Sequence, residues 1–179
     1  MKAFLELLGL KRPPDSDAQR ARTATVRKIV RALEALEPQR ARFIAAFAYL
    51  LSRVANADLE VSAEETRKME EIVRRFGELP EDQAVLVVEI AKSQNRLFGG
   101  TENFQVTREL RELASREQRE EVLHCLFAVS AADDVISDVE ETQLRQIAEE
   151  LGFSHREYVE VRASYNDKRS VIQRFRGQS

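Results

Sequence analysis

Leu51-Ser-Arg-Val-Ala-Asn-Ala-Asp58-Leu-Glu-Val-Ser62-Ala-Glu-Glu65 runs on to Met69, Ile72, Phe76 and Gly77. Leu126-Phe-Ala-Val-Ser-Ala-Ala-Asp133-Asp-Val-Ile-Ser137-Asp-Val-Glu140 runs on to Leu144, Ile147, Leu151 and Gly152. A shift of 75 residues lays the first stretch over the second with no gap. Val54 meets Val129, Ala57 meets Ala132 and Val61 meets Ile136. Two helices often share apolar positions by chance. Sharing Ala-Asp-x-x-x-Ser-x-x-Glu in the connecting loop as well points to duplication of one helix–loop–helix unit.

Working outward, the flanking segments read as helix throughout. Val26, Ile29, Val30, Leu33 and Leu36 recur at helical spacing after Asp15-Ser16-Asp17, which offers N-cap residues. Pro38 is placed to open a second helix carrying Phe43, Phe47, Leu50, Leu51 and Val54. Leu79-Pro80-Glu81-Asp82 starts a helix through Val85, Leu86, Val88 and Ile90 whose uniform apolarity predicts the most buried helix of the chain. Further helices are expected over roughly 103–114 and 116–131, then from Ser137 to Leu151 with Gly152 as a stop. Ser154 begins the last, bearing Tyr158, Val161 and Tyr165. The expectation is an all-α fold: one helical domain of about seven to nine helices with an internal pseudo-two-fold repeat. Residues 17–165 form that domain, between an N-terminal segment 1–16 and a polar basic tail 166–179.

Composition agrees and excludes several classes. The 179 residues are 43% apolar, too many for disorder, and 33% charged, which suits helices with a large solvated face. The single cysteine, Cys125, cannot form an internal disulfide and fits a reducing compartment, so a cytoplasmic chain is expected. No apolar stretch reaches the roughly 20 residues a bilayer requires. Charge is uneven: residues 11–53 carry a net +6 and residues 54–161 a net −13. With no aromatic residues among the arginines, the basic part reads as a solvated face and no nucleic acid is expected as partner. Met1–Leu10 places Phe4, Leu5, Leu7 and Leu8 on a short apolar segment followed by Lys11-Arg12. It could rest on an anionic membrane through residues 1–12, or dock onto its own domain or a partner.

No catalytic constellation stands out. Gly99-Gly100 lacks the lysine and further glycines of a phosphate loop. Glu121-x-x-His124 has di-iron spacing, but His155, the other histidine, has no Glu three residues before it. Cys125 aligns with Leu50 in the repeat and reads as a small core residue. The expected protein is therefore not an enzyme.

The loops of the repeat carry what chemistry there is. Ser62-x-x-Glu65 and Ser137-x-x-Glu140 are capping boxes, in which Ser accepts from the third helical amide and Glu reaches back to the Ser amide. Asp58 and Asp133 need another reason, because a carboxylate after a helix C-terminus faces the negative end of its dipole. Loop amides in an Asx-turn would offset that, and so would a divalent cation. Glu60 and Glu64 lie near the first loop, Asp134, Asp138 and Glu141 near the second. The spacing is too short for an EF-hand, whose central glycine is also missing.

The twice-repeated Ala-Asp-x-x-x-Ser-x-x-Glu after an apolar helix resembles the tellurite-resistance protein B (TerB) family, in its TerB-like branch. Phe104-Gln-x-Thr107, Glu117 through Glu120 and the run from Leu126 to Gly152 share in the resemblance, which covers roughly residues 40–165. It implies an all-α fold, a cytoplasmic location, a stress-related role and divalent-metal binding by acidic residues; the leading expectation is a non-catalytic helical module that acts by binding protein partners. Carried over by position the acidic residues are Asp58 and Glu65, then Asp133 and Glu140, with Asp134 beside them, holding Ca²⁺ or Mg²⁺. The family glycine after Asp is Leu59 in the first copy and Asp134 in the second, which disfavours a left-handed turn residue, more at Leu59 than at Asp134. The alternatives are a pure scaffold whose loops are only caps and turns, and a peripheral membrane adaptor.

Overall fold

The helical period of the sequence becomes eight α-helices in a computed structural model, which describes residues 17–55, 63–94, 103–132 and 135–168. They are α1 (Asp17–Glu34), α2 (Pro38–Val54), α3 (Ala63–Phe76), α4 (Glu81–Gln94), α5 (Asn103–Leu113), α6 (Arg116–Ser130), α7 (Asp138–Glu150) and α8 (His155–Ala163), with a 3₁₀ turn at Asn166–Lys168. No strand forms among the described residues, where Ile136 alone carries a β-bridge. The fold is all-α, as expected from the sequence.

The helix ends follow local chemistry. Pro38 sits in the first turn of α2, and the Glu37 carboxylate caps it by accepting from the Gln39 and Arg40 amides at 3.0 and 3.1 Å. Ser115, Ser137 and Ser154 each form a capping box, with Gln118, Glu140 and Glu157. Ser137 is the box expected in the second repeat; that of Ser62 and Glu65 lies outside the described residues. α7 ends at Gly152, whose φ of 85° supplies a left-handed residue. Gly152 N–H donates to Glu149 O and Phe153 N–H to Ala148 O, so two orphan carbonyls are satisfied. Gly77 after α3 serves differently: the left-handed residue is Glu78, at φ 46°. A Cβ on Gly77 would lie 2.7 Å from Val73 O and 2.9 Å from the Phe47 ring, so the missing side chain leaves room for that ring.

The most buried helix is α2, not the α4 expected from its apolar run. Eleven residues of α2 are buried, among them Ala41, Ala45, Ala46 and Ala48. These alanines add little hydrophobicity but let neighbours approach closely, and α2 packs against α1, α4, α5, α6 and α7. α4 buries Ala84, Leu86, Val87, Val88, Ile90 and Ala91 and keeps Val85 half-buried. α8 docks as predicted: Tyr158 and Val161 are buried, and the Tyr165 ring stacks on Phe127 at 5.1 Å between centroids. Its hydroxyl donates to His124 O at 3.0 Å.

The duplication is visible in the packing. α2 and α3 form the first copy, α6 and α7 the second. α3 lies against α6 and α7 lies against α2, the exchange that a two-fold relation between copies requires. Leu50 and Cys125 are both fully buried at the aligned position, as are Val73 and Ala148.

Candidate functional site

The second bend starts where α6 runs out. Ala131 N–H donates to Phe127 O and Ala132 N–H to Val129 O, which tightens the last turn. Ser137 then caps α7: its amide and hydroxyl both donate to the Glu140 carboxylate, at 2.8 and 2.6 Å, and its hydroxyl accepts from Glu140 N–H at 3.2 Å. Glu140, carried over as a metal ligand, thus spends one carboxylate oxygen on the cap. Ile136 is fully buried between these anchors and pins the bend to the core. Val135 and Val139 do the opposite: at 42% and 62% exposed, they are the large apolar side chains left open among the described residues. Asp138, between them in sequence, is exposed too.

On α7 beyond the bend, Asp138, Glu141 and Arg145 line a cleft of about 270 Å³ with His155, Tyr158 and Arg162 of α8. Arg162 donates to the Glu141 carboxylate at 3.3 Å, and its guanidinium carbon stands 5.6 Å from the Tyr158 ring centre. Within the cleft the Glu141 carboxylate and the Arg162 guanidinium are paired with each other.

Asp58, Asp133 and Asp134 lie outside the described residues, as does the Glu65 side chain, although Glu65 belongs to α3. So does the segment 1–12 singled out for membrane contact. Among the described residues no three His, Cys, Asp or Glu side chains converge as a metal site would. What reaches the second bend from its surroundings is a cation: Lys68 of α3 donates to Ala132 O, the carbonyl immediately before Asp133. Near the first bend, Lys92 of α4 donates to Thr66 Oγ1 at 2.8 Å. The described donors by themselves do not fit a divalent ion.

Sequence reasoning missed a buried polar cluster that joins α2, α5 and α7. Arg53, near the end of α2, donates to Glu150 of α7 at 2.7 Å and to Thr107 of α5 at 3.1 Å. Thr107 donates to Glu150 at 2.7 Å and Gln146 to its other oxygen at 2.9 Å. Arg53 and Glu150 side chains are only 6% and 10% exposed, and Thr107 is fully buried. Burial pushes the Glu150 carboxyl up, but hydrogen bonds from Arg53 and Thr107, the Arg53 charge and the Gln146 amide outweigh it and hold it below the usual range. The signal was a break in the repeat: Arg53 aligns with Ala128 and Glu150 with Arg75, so the charges belong to one copy only.

The thiol and histidine of α6 are not a reactive pair. Cys125 is fully buried, and burial pushes its thiol far above the ordinary range. Beside it, Glu121 is raised, first by burial and then by Glu78, Glu117 and Glu120.

Residues 43–163, the span of the duplicated unit, its capping boxes and α8, match the family described as tellurite resistance protein TerB. The chain belongs to the TerB family. No curated protein and no solved structure matches it. The match begins inside α2 and ends at the last residue of α8, so α1 lies outside the matched span. No helix among the described residues is long and apolar enough to cross a membrane.

Proposed function

We propose that this TerB-family chain is a non-catalytic helical module that binds protein partners in a stress-related role, with the second acidic bend as its contact surface. The observation that carries the reading is the exposed apolar pair Val135 and Val139, flanking the N-terminus of α7 beside Asp138. A folded domain gains nothing from leaving two valines in water. Covering them is worth on the order of 1 kcal/mol each, at about 25 cal/mol per Å² of apolar surface. The exposed Asp138 between the two valines adds a negative charge that favours a partner segment carrying both apolar and basic side chains. The deep burial of Cys125, which keeps its thiol from any substrate, favours binding over catalysis.

The test replaces Val135 and Val139 by Ser together. The variant should keep the melting temperature of the parent, because neither side chain is in the core, and should lose partners that the parent retains in cross-linking from cells. Equal cross-linking by both proteins removes the reading.

Ca²⁺ or Mg²⁺ at the bends is the second reading. What favours it is the run of carboxylates that opens α7 directly after Asp133 and Asp134. Titration calorimetry of the full chain with each ion decides it, absence of heat ending the reading.

A further inference from the structure

α1 stands outside the matched TerB span, and few of its side chains hold it to the body. Between Ala24 and Glu34 only Ile29 and Leu33 are buried. Beside them α1 and α4 leave a groove of about 580 Å³, against about 270 Å³ for the cleft between α7 and α8. Its floor is apolar: Ala32 and Val85 are half-buried and Leu86 is buried. Its rim is acidic. Glu81, Asp82 and Glu89 stand along α4, and the cation that faces them, Lys28 of α1, pairs with Glu89 at 3.0 Å. Glu81 and Asp82 suit the positive end of α4, so their charge has a local reason. An open apolar floor between two packed helices has none.

The sequence supplies an occupant of matching chemistry. Phe4, Leu5, Leu7 and Leu8 fall in a segment with Lys2, Lys11 and Arg12 and a single acid, Glu6. Residues 1–16 lie outside the described residues and join α1 at Asp17. Asp17 stands about 22 Å from Ala32 along α1, at about 1.5 Å per residue. Residues 9–16 can span up to about 26 Å, so residues 4–8 are within reach of the groove. A tether that short sets an effective concentration of the order of millimolar, which a separate partner rarely matches.

We infer that residues 4–8 seat in the α1–α4 groove of their own chain, with Lys2, Lys11 and Arg12 answering the carboxylates of α4. Any other apolar, basic segment then enters the groove only by displacing the chain's own. The groove shares no residue with the Val135–Val139 face, so failure of one reading leaves the other intact.

The chain has no tryptophan, so Phe4→Trp places a single fluorescent reporter in the segment. The full chain carrying it is compared with a peptide of residues 1–16 carrying the same substitution. The full chain should emit to the blue of the peptide and resist acrylamide quenching, equally at low and high protein concentration. Adding Val85→Lys should return emission and quenching to those of the peptide. That substitution suits α4, because Glu81 and Glu89 lie one turn to either side of position 85. Glu81→Gln with Asp82→Asn removes rim charge and leaves the floor intact, and should move the emission towards the red. Peptide-like emission from the full chain overturns the proposal, and so does a blue shift that survives Val85→Lys. If Val85→Lys loses helicity by circular dichroism, the rim variant decides, unchanged emission overturning the proposal. A shift that grows with protein concentration assigns the segment to a second copy, and one that appears only with phosphatidylserine vesicles assigns it to a membrane; either result overturns the proposal as well.

Discussion

Glu150→Gln is the substitution whose effect follows most directly from the structure. The carboxylate is the shared acceptor of Arg53, Thr107 and Gln146, and it ties α7 to α2 and α5. Its replacement keeps the volume and an amide oxygen for Thr107 but leaves the Arg53 guanidinium buried without a counter-charge, with Nε already unpartnered. Removing one member of a buried ion pair costs on the order of 3–5 kcal/mol. The amide oxygen that remains puts this case at the lower end, about 3 kcal/mol. For a chain of this size that lowers the melting temperature by about 6–12 °C.

The pH dependence carries the sharper test. Glu150 is held below the ordinary glutamate value of 4.5 in the folded protein. A depressed carboxylate contributes stability that is present above the unfolded value and is lost as pH falls through the folded one. The gap between parent and variant should therefore be widest above about pH 5 and should close as the solution is acidified below 4.5, where the parent's own carboxyl becomes neutral. Urea denaturation followed by circular dichroism at several pH values measures this. A gap under about 0.5 kcal/mol at neutral pH, or one that does not narrow in acid, refutes the argument. The double variant Arg53→Met, Glu150→Leu should regain most of the loss, because it leaves no charge stranded.

Other consequences are simpler to check. Glu157 is held at about 2 by the hydroxyl and amide of Ser154 and then by Arg116. Ser154→Ala should move the Glu157 carboxyl towards the ordinary glutamate range in an NMR titration and cost about 1 kcal/mol of cap. Gly152→Ala places a side chain at φ 85° and should destabilise by about 1–2 kcal/mol in urea. Gly77→Ala should also destabilise, but by forcing the Phe47 ring and the Val73 carbonyl apart; restoration by Phe47→Leu would mark the clash with the ring. Cys125 should resist thiol reagents in the native protein and react at once in denaturant, whereas rapid native labelling would contradict its burial.

What the sequence determined by itself about this TerB-family protein is everything written in short range. Helical periodicity, the Ser137–Glu140 box, the Gly152 stop and the register of the duplication depend on residues within a few turns of each other, or on copies read against each other. Docking of α8 through Tyr158, Val161 and Tyr165 was legible for the same reason. The tertiary structure decided what depends on distance. It made α2 the central helix, because alanines that look weak on a hydropathy scale are what close packing requires. It brought Arg53, Thr107 and Glu150 together from positions 54 and 97 residues apart, with no periodicity to announce them. It also set Lys68 against the Ala132 carbonyl and Lys92 against the Thr66 hydroxyl. A charged side chain reads as solvated until the fold shows which carbonyl or carboxylate it faces, and that partner lies on another helix.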